Sequence, residues 1–354
     1  MADEKSAPKA LEELIARAEK ADVSDIHLQM LNGKASVSFR MDGMMTPASE
    51  LPEDIADRVF GRIKYLARLK TYQESLPQGG RIEHAEVGSR HDIRVATYPT
   101  ITGEKIVLRM FTESMPTLDE LGFAPEVRAE LEQFLARPSG LLLLTGPAGS
   151  GKTTTIYACL QHLAEQGDRH VITIEDPAEQ VIPGIMQTEV NEALGLDFAK
   201  AARHLLRQDP QVLVIGEIRD DETANIAVRA SLTGHLVIST LHAGSCKGVF
   251  ERLLAMCPDQ FAAISSIELV VNQRLMRRLC ADCGGDGCDV CLQTGYRGRV
   301  PIAEIVKSDD RFKQTLSASG AGAIKPKLPL REAANALRET GVVNDAELRR
   351  IFGG

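Results

Sequence analysis

The sequence predicts an α/β protein in two parts, a smaller α+β domain followed by a larger domain built on a parallel sheet. Three observations carry that prediction. Four short apolar runs, 141–145, 171–174, 212–215 and 236–239, are each followed by a loop and a helical pattern, as expected of strands buried on both faces and joined by crossover helices. Before residue 112 the pattern is different, with amphipathic helices mixed among strands that alternate in polarity. Between the two, periodicity lapses around Pro116. The expected division is therefore an N-terminal α+β domain over 1–112, a hinge linker at 113–118 and an α/β domain over 119–354. With 354 residues, 44% of them hydrophobic and 25% charged, the chain can bury two cores and is neither disordered nor fibrous.

The N-terminal elements follow in order. Leu11, Leu14, Ile15 and Ala18 repeat at helical spacing over 10–20. Val37, Phe39 and Met41 alternate with Ser36, Ser38 and Arg40 in a strand that Asp42-Gly43 turns. Pro52, Glu53 and Asp54 then open a helix with the apolar stripe Ile55, Val59, Ile63 and Leu66. Strands at 91–97 and 104–111, joined by a turn at Pro99 and Gly103, complete a small antiparallel sheet with helices packed on it.

Charge and composition narrow the partners. There are 41 Lys+Arg against 49 Asp+Glu, a net charge of −8, and aromatic residues are 4% with no Trp. That balance argues against nucleic acid as the partner, since a coating protein is basic and a single-strand channel needs stacking rings. The dense basic cluster, Arg274, Arg277 and Arg278, is the candidate nucleic-acid contact, and it reads equally as a phosphate contact or a subunit contact. No apolar run approaches the ~18–20 residues that cross a bilayer, and the polar start MADEKSAPKA is not a signal peptide, so a cytoplasmic location without membrane insertion is expected. The small-residue tract SASGAGA at 317–323 reads as flexible.

Four of the seven cysteines, Cys280, Cys283, Cys288 and Cys291, fall within twelve residues as two C-x-x-C turns with Gly284, Gly285 and Gly287 between them. Such turns fold back to present four thiolates to Zn²⁺ and leave no open position for catalysis; the alternative is a redox dithiol or unpaired thiols in a loop. Cys159, Cys246 and Cys257 are scattered and read as small buried apolar residues.

The firmest chemical signal is GPAGSGKT: Gly146, Pro147, Ala148, Gly149, Ser150, Gly151, Lys152 and Thr153, with Thr154 next. It matches the phosphate-binding pattern G-x-x-x-x-G-K-[ST] and lies between a predicted strand and a predicted helix. Glycines let backbone N–H groups turn inward, Lys152 reaches the β and γ phosphates of ATP, and Thr153 offers its hydroxyl to Mg²⁺. Two acidic clusters follow strands: Glu175, Asp176 and Glu179 after 171–174, and Glu217 after VLVIG. Alone, each reads as a solvated loop; at strand ends beside a phosphate loop they read as acids for the metal and the attacking water. His235 and His242 bracket the run 236–239, and read alone they are hydrogen-bonded structural histidines. Arg203, Arg207 and Arg219, likewise, read alone as solvent-facing.

Taken in order, GPAGSGKTTT, ITIEDPAE (172–179), FAKAARHLLRQDPQVLVIGEIRD (198–220), TGHLVISTLHA (233–243), the cysteine turns and TGYRGRVPIAEI (294–305) resemble the secretion ATPase superfamily. The type II secretion and type IV pilus assembly motors are the most similar branch. SDIHLQ (24–29), FRMDG (39–43), PQGGR (77–81) and YPTITGEK (98–105) are similar to that family's second N-terminal domain. The resemblance covers about 23–306 and leaves no room ahead of it for the further N-terminal docking domain usual in assembly motors. It implies a RecA-like P-loop NTPase core, a PAS-like N-terminal domain and a zinc knuckle at 280–291 within the ATPase domain. It also implies ATP, Mg²⁺ and Zn²⁺ as cofactors, with Glu217 as the water-activating glutamate. Glu175, Asp176 and Glu179 become an acidic box, and His235 and His242 a sensor box. Arg94 and Arg109 become arginines that the N-terminal domain brings to the γ-phosphate. The implied assembly is a homohexamer working on an inner-membrane platform protein of a secretion or pilus machine, peripheral at the cytoplasmic side. Two alternatives stand beside it, a pilus retraction motor and a nucleic-acid-stimulated RecA-like ATPase, together with a scaffold that binds ATP only for structure.

Overall fold

The computed structural model describes residues 6–110, 115–319, 322 and 324–353. Positions 113 and 114 of the expected linker, and 320, 321 and 323 of the expected flexible tract, lie outside the described residues. Packing divides the chain into two compact units, Met1–Ser114 with Arg277–Arg299, and Met115–Met276 with Val300–Gly354.

In the first unit, α1 (Ala7–Lys20) precedes β1 (Asp25–Leu31), β2 (Lys34–Met41) and β3 (Met44–Leu51). Helix α2 (Glu53–Leu66) follows, then β4 (Gln78–Ile82), β5 (Ile93–Thr100) and β6 (Gly103–Met110). The strands form one six-stranded antiparallel sheet in the order β3-β2-β1-β6-β5-β4. Side chains alternate across a strand, so Ile26, Leu28, Phe39 and Leu108 share one face with Leu11 and Ile15 of α1 and Ile63 of α2. On the opposite face Arg81, Arg94, Arg109, Asp25 and Arg40 are successive cross-strand neighbours. The buried Asp25 carboxylate accepts from Arg109 Nε at 2.9 Å and stands 3.5 Å from Arg40 Nε.

One charge is sealed inside this unit. Lys64 of α2 is 1% exposed, and its Nζ lies 3.2 Å from both oxygens of Glu104 and 3.0 Å from the Gln73 carbonyl. Removing one member of such a pair leaves a buried charge uncompensated. Glu104→Ala should therefore destabilise the unit by about 3 kcal/mol, read as a lower urea midpoint; an unchanged midpoint would mean that Lys64 is held without its partner.

The cysteine segment, expected within the C-terminal domain, groups with this first unit because its contacts are there. Leu292 packs against the unit's core. Arg297 pairs with Asp22, and Gly298 N donates to Asp42 at 2.9 Å.

The second unit runs α3 (Pro125–Leu135), β7 (Gly140–Thr145), α4 (Lys152–Gln166), β8 (Val171–Glu175) and β9 (Met186–Glu189). It continues with α5 (Phe198–Leu205), β10 (Val212–Ile215), α6 (Asp221–Leu232), β11 (Leu236–Thr240), α7 (Cys246–Met256) and α8 (Gln260–Ser266). Strands β12 (Ile267–Leu279) and β13 (Tyr296–Lys307) then flank the cysteine segment, and helices α9 (Asp310–Ser319), α10 (Leu330–Glu339) and α11 (Asp345–Phe352) form the tail. The seven-stranded sheet has the order β13-β12-β7-β11-β10-β8-β9, with parallel pairing from β12 through β9. All six residues of β7 are buried, Leu141 and Leu143 in one core cluster and Leu142 and Leu144 in another. That is why its sequence is an unbroken apolar run: each leucine removed from water contributes roughly 1.5–3 kcal/mol whichever face it takes. Parallel pairing also brings the carboxyl ends of β7, β8, β10 and β11 to one edge. Among the described residues no helix is long and apolar enough to cross a membrane.

Candidate functional site

At that edge the chain leaves β7 and turns tightly into α4. Gly146, Gly149 and Gly151 have φ of +142°, +73° and +89°, in the region that favours glycine. A Cβ on Gly146 would stand 2.4 Å from the Gln273 carbonyl oxygen and 2.6 Å from Ser150 Oγ, so only glycine fits. Lys152 Nζ donates to the Gly146 and Pro147 carbonyls at 2.9 and 3.0 Å, and burial, with Arg274 nearby, pulls its ammonium below the ordinary lysine range against the attraction of Glu217. Gln273 of β12, 1% exposed, supports the loop from beneath: its Nε2 donates to the Ser150 carbonyl at 2.8 Å and its Oε1 accepts from Thr155 Oγ1 at 3.1 Å. No local pattern marks Gln273 in the sequence.

The loop opens on a cleft of about 280 Å³ lined by Ala148, Gly149, Lys152 and Thr153 and by Glu175, Asp176, Glu179, Glu217 and His242. Within it, Glu217 follows β10 and is gripped on both oxygens, by Arg219 on Oε1 and by His242, whose Nε2 is 3.0 Å from Oε2. Arg219 also reaches Asp176 at 3.2 Å, which together with Glu217 holds its guanidinium above even the usual arginine range. The loop carrying His242 is tied to β7: Thr145 Oγ1 donates to the Ala243 carbonyl at 2.8 Å and accepts from Ala243 N at 2.9 Å.

The acids after β8 differ among themselves. Asp176 and Glu179 are exposed, whereas Glu175 is 7% exposed and accepts from Tyr157, Thr173 and Gln187. His235 is not in the cleft. It precedes β11, with Nδ1 3.0 Å from the Ala230 carbonyl, and the five residues of that strand span about 17 Å at ~3.3 Å each. Arg203 pairs with Glu222. Arg274 donates to Asn272 Oδ1 at 2.7 Å and to the Gly244 carbonyl at 3.0 Å, while Arg277, in the first unit, stacks 4.0 Å from the Tyr296 ring centroid. Arg94 and Arg109 are the cross-strand pair of β5 and β6 in that unit, both exposed.

The four expected metal ligands converge. Cys280 Sγ is 3.9 Å from Cys288 Sγ, Cys283 is 3.9 Å from Cys291, Cys288 is 3.7 Å from Cys291, and all four sulfurs lie within 4.8 Å of one another. Sulfurs ~2.3 Å from a tetrahedral Zn²⁺ stand about 3.8 Å apart, so the donor set fits that ion. Backbone N–H groups are aimed at the sulfurs: Gly287 N at Cys283 Sγ (3.2 Å), and Cys288 N and Gly295 N at Cys291 Sγ (3.2 and 3.3 Å). Against the opposing push of burial, Cys288 N, Gly295 N and the neighbouring thiols bring Cys291 down to about 7. Cys159, Cys246 and Cys257 are buried singly, as expected.

Comparison with known proteins agrees with this architecture. The profile of the family described as Type II/IV secretion system protein matches residues 1–348. The type IV pilus assembly ATPase PilB of Thermus thermophilus is 37% identical over 96% of this chain, which spans 41% of that relative's length. The type II secretion system protein HxcR of Pseudomonas aeruginosa is 41% identical over 94% of this chain and 72% of its own. Among solved structures, the fold is similar to the ATPase DotB of Legionella pneumophila, with a TM-score of 0.76 at 20% identity over 98% of this chain and 96% of DotB. It is also similar to the pilus retraction motor PilT with bound ADP, with a TM-score of 0.67 at 24% identity over 96% of each chain. The chain belongs to the Type II/IV secretion system protein family.

Proposed function

We propose that this chain is a Mg²⁺-dependent ATPase that drives assembly of a type II pseudopilus or a type IV pilus from the cytoplasmic face of the inner membrane. The observation that carries the reading is Glu217, held by His242 and Arg219 in the same cleft as Lys152 and Thr153. In this reading the second unit is a RecA-like P-loop core and the first a PAS-like domain. Lys152 leaves the carbonyls it now binds to neutralise the β and γ phosphates, and Glu217 accepts the proton of the attacking water. Thr153, with Asp176 and Glu179, holds Mg²⁺, which shields phosphate charge when bound. His242 orients Glu217 and senses the phosphate. Arg94 and Arg109 of the N-terminal domain supply positive charge to the transition state. Cys280, Cys283, Cys288 and Cys291 hold a structural Zn²⁺. The working assembly is a homohexamer acting on an inner-membrane platform protein.

The test is ATPase specific activity in Mg²⁺ over a wide dilution series. Turnover should rise steeply with protein concentration and be lost in Lys152→Ala, Arg94→Ala and Arg109→Ala, since a charge supplied by another domain or subunit makes activity depend on assembly. Turnover that survives Lys152→Ala would sink the assignment of hydrolysis to the Lys152 cleft. Activity flat with dilution and indifferent to both arginines would remove the assembly-dependent mechanism.

A further inference from the structure

Tyr157 is a residue that neither the motif pattern nor the proposed chemistry uses. It lies in α4, five residues past Lys152, and is 1% exposed. A phenylalanine would fill the same volume, so the hydroxyl is what needs explaining. Its oxygen accepts from Glu179 N at 2.7 Å and from Gln180 N at 3.2 Å, and it donates to Glu175 Oε2. The other carboxylate oxygen, Oε1, accepts from Thr173 Oγ1 at 2.5 Å and from Gln187 Nε2 at 2.9 Å. Gln187 closes the network, donating to the Gln180 carbonyl at 2.9 Å and accepting from Ile182 N at 2.6 Å. Backbone groups of residues 179, 180 and 182 are thus tied to two side chains, one on the nucleotide helix and one on β9. The tied loop carries Asp176 and Glu179, the two exposed acids of the cleft. Burial, and then the hydrogen bond to Glu175, push the phenol up to about 12, which keeps the proton on Tyr157.

Resting on the ATPase reading above, we propose that Tyr157 is a positioning residue whose hydroxyl fixes the Asp176–Glu179 loop against the nucleotide helix, so that its acids meet the Mg²⁺ of bound ATP in register. Glu175 serves the same end as the acceptor that orients the hydroxyl. The ligand of the positioned acids is the metal–triphosphate and not the nucleoside, so the hydroxyl affects metal-dependent turnover and leaves metal-free nucleotide binding alone.

The experiment compares the full chain with Tyr157→Phe in three measurements: ATPase against Mg²⁺ concentration, ADP affinity in EDTA, and hydrogen exchange across 176–182. The expected result is kcat lower by about tenfold to hundredfold, the cost of a misplaced group of order 1 Å. The half-saturating Mg²⁺ should rise several-fold, KM for ATP and ADP affinity in EDTA should stay within about threefold, and the loop amides should exchange faster. Unchanged kcat and Mg²⁺ midpoint would overturn the positioning role. So would an equal loss of ADP affinity in EDTA, which would make Tyr157 a packing residue of the nucleotide helix. Wild-type protein that turns over no ATP at any concentration would overturn the functional reading itself, and this role with it.

Discussion

Glu217→Gln should lower ATP turnover by about 10²–10⁴-fold while nucleotide affinity stays within a few-fold of the native value. The amide has the shape of the carboxylate but cannot take a proton from water at neutral pH, so the loss falls on the chemical step. The surroundings favour a clean result. Arg219 keeps its contact with Asp176, and the His242 loop stays tied through Thr145 and Ala243, so the substitution removes a base without releasing its neighbours. His242 Nε2 can face either the amide oxygen or its nitrogen by choice of tautomer. Steady-state turnover paired with binding of a fluorescent ADP analogue separates the two quantities. Turnover within threefold of native would identify another residue as the base, and weaker binding in proportion to lost turnover would make Glu217 a ligand-binding group.

The parts of the fold legible in the sequence are those whose burial is uniform. Strands β7, β8, β10 and β11 stand out as apolar runs because both faces of a central parallel strand are covered, so every side chain reports the same environment. The edges do not report in that way. Strand β3, MMTPASEL, carries Pro47 and leaves Met44 and Met45 43% exposed; β4, QGGRI, has two glycines; each is placed by its ladder and not by its side chains. Strand β1 is another matter. Ile26 and Leu28 alternate with Asp25, His27 and Gln29, a strand signal that DIHLQ carries beside its resemblance to the family.

In the site, sequence order finds groups at strand ends but not their orientation. Glu217 and His242 follow adjacent parallel strands, and register alone brings them together. Glu175 carries the same acidic signal as Asp176, yet the donors that occupy it come from α4, β8 and β9, up to 18 positions from it along the chain. Tyr157 and Gln273 are silent for the same reason, since what each does depends on a partner far along the chain. The grouping of the cysteine segment with the first unit rests on Leu292, Arg297 and Gly298, none of which is a ligand.

That segment gives the other large expected effect. On the zinc reading proposed above, removing the metal, or replacing Cys291 with Ser, should unfold residues 280–295 locally while β7, β10 and β11 keep their protection from hydrogen exchange. Residues 280–295 are held by turn hydrogen bonds, such as Cys280 N to the Gly295 carbonyl at 2.9 Å and Gln293 N to the Cys288 carbonyl at 2.8 Å, and by Leu292 as an apolar contact with the core. Gly284, Gly285, Gly287 and Gly295 adopt positive φ, as do Leu292 and Gln293, and these backbone conformations are costly to fix. The largest compensation on offer is the set of four sulfurs, all within 4.8 Å of one another and with amides aimed at them, since structural zinc in such a set is worth about 10–16 kcal/mol of apparent binding free energy at neutral pH. Cys291 is the sharpest position because its sulfur is fully buried and receives two backbone N–H groups. One zinc per chain by metal analysis, and tryptic cleavage after Arg278 or Arg297 only once a chelator is added, would bear this out. Protein that purifies without zinc and still protects 280–295 from exchange would mean that the contacts through Leu292 and Gly298 suffice, and that the thiols are a redox pair.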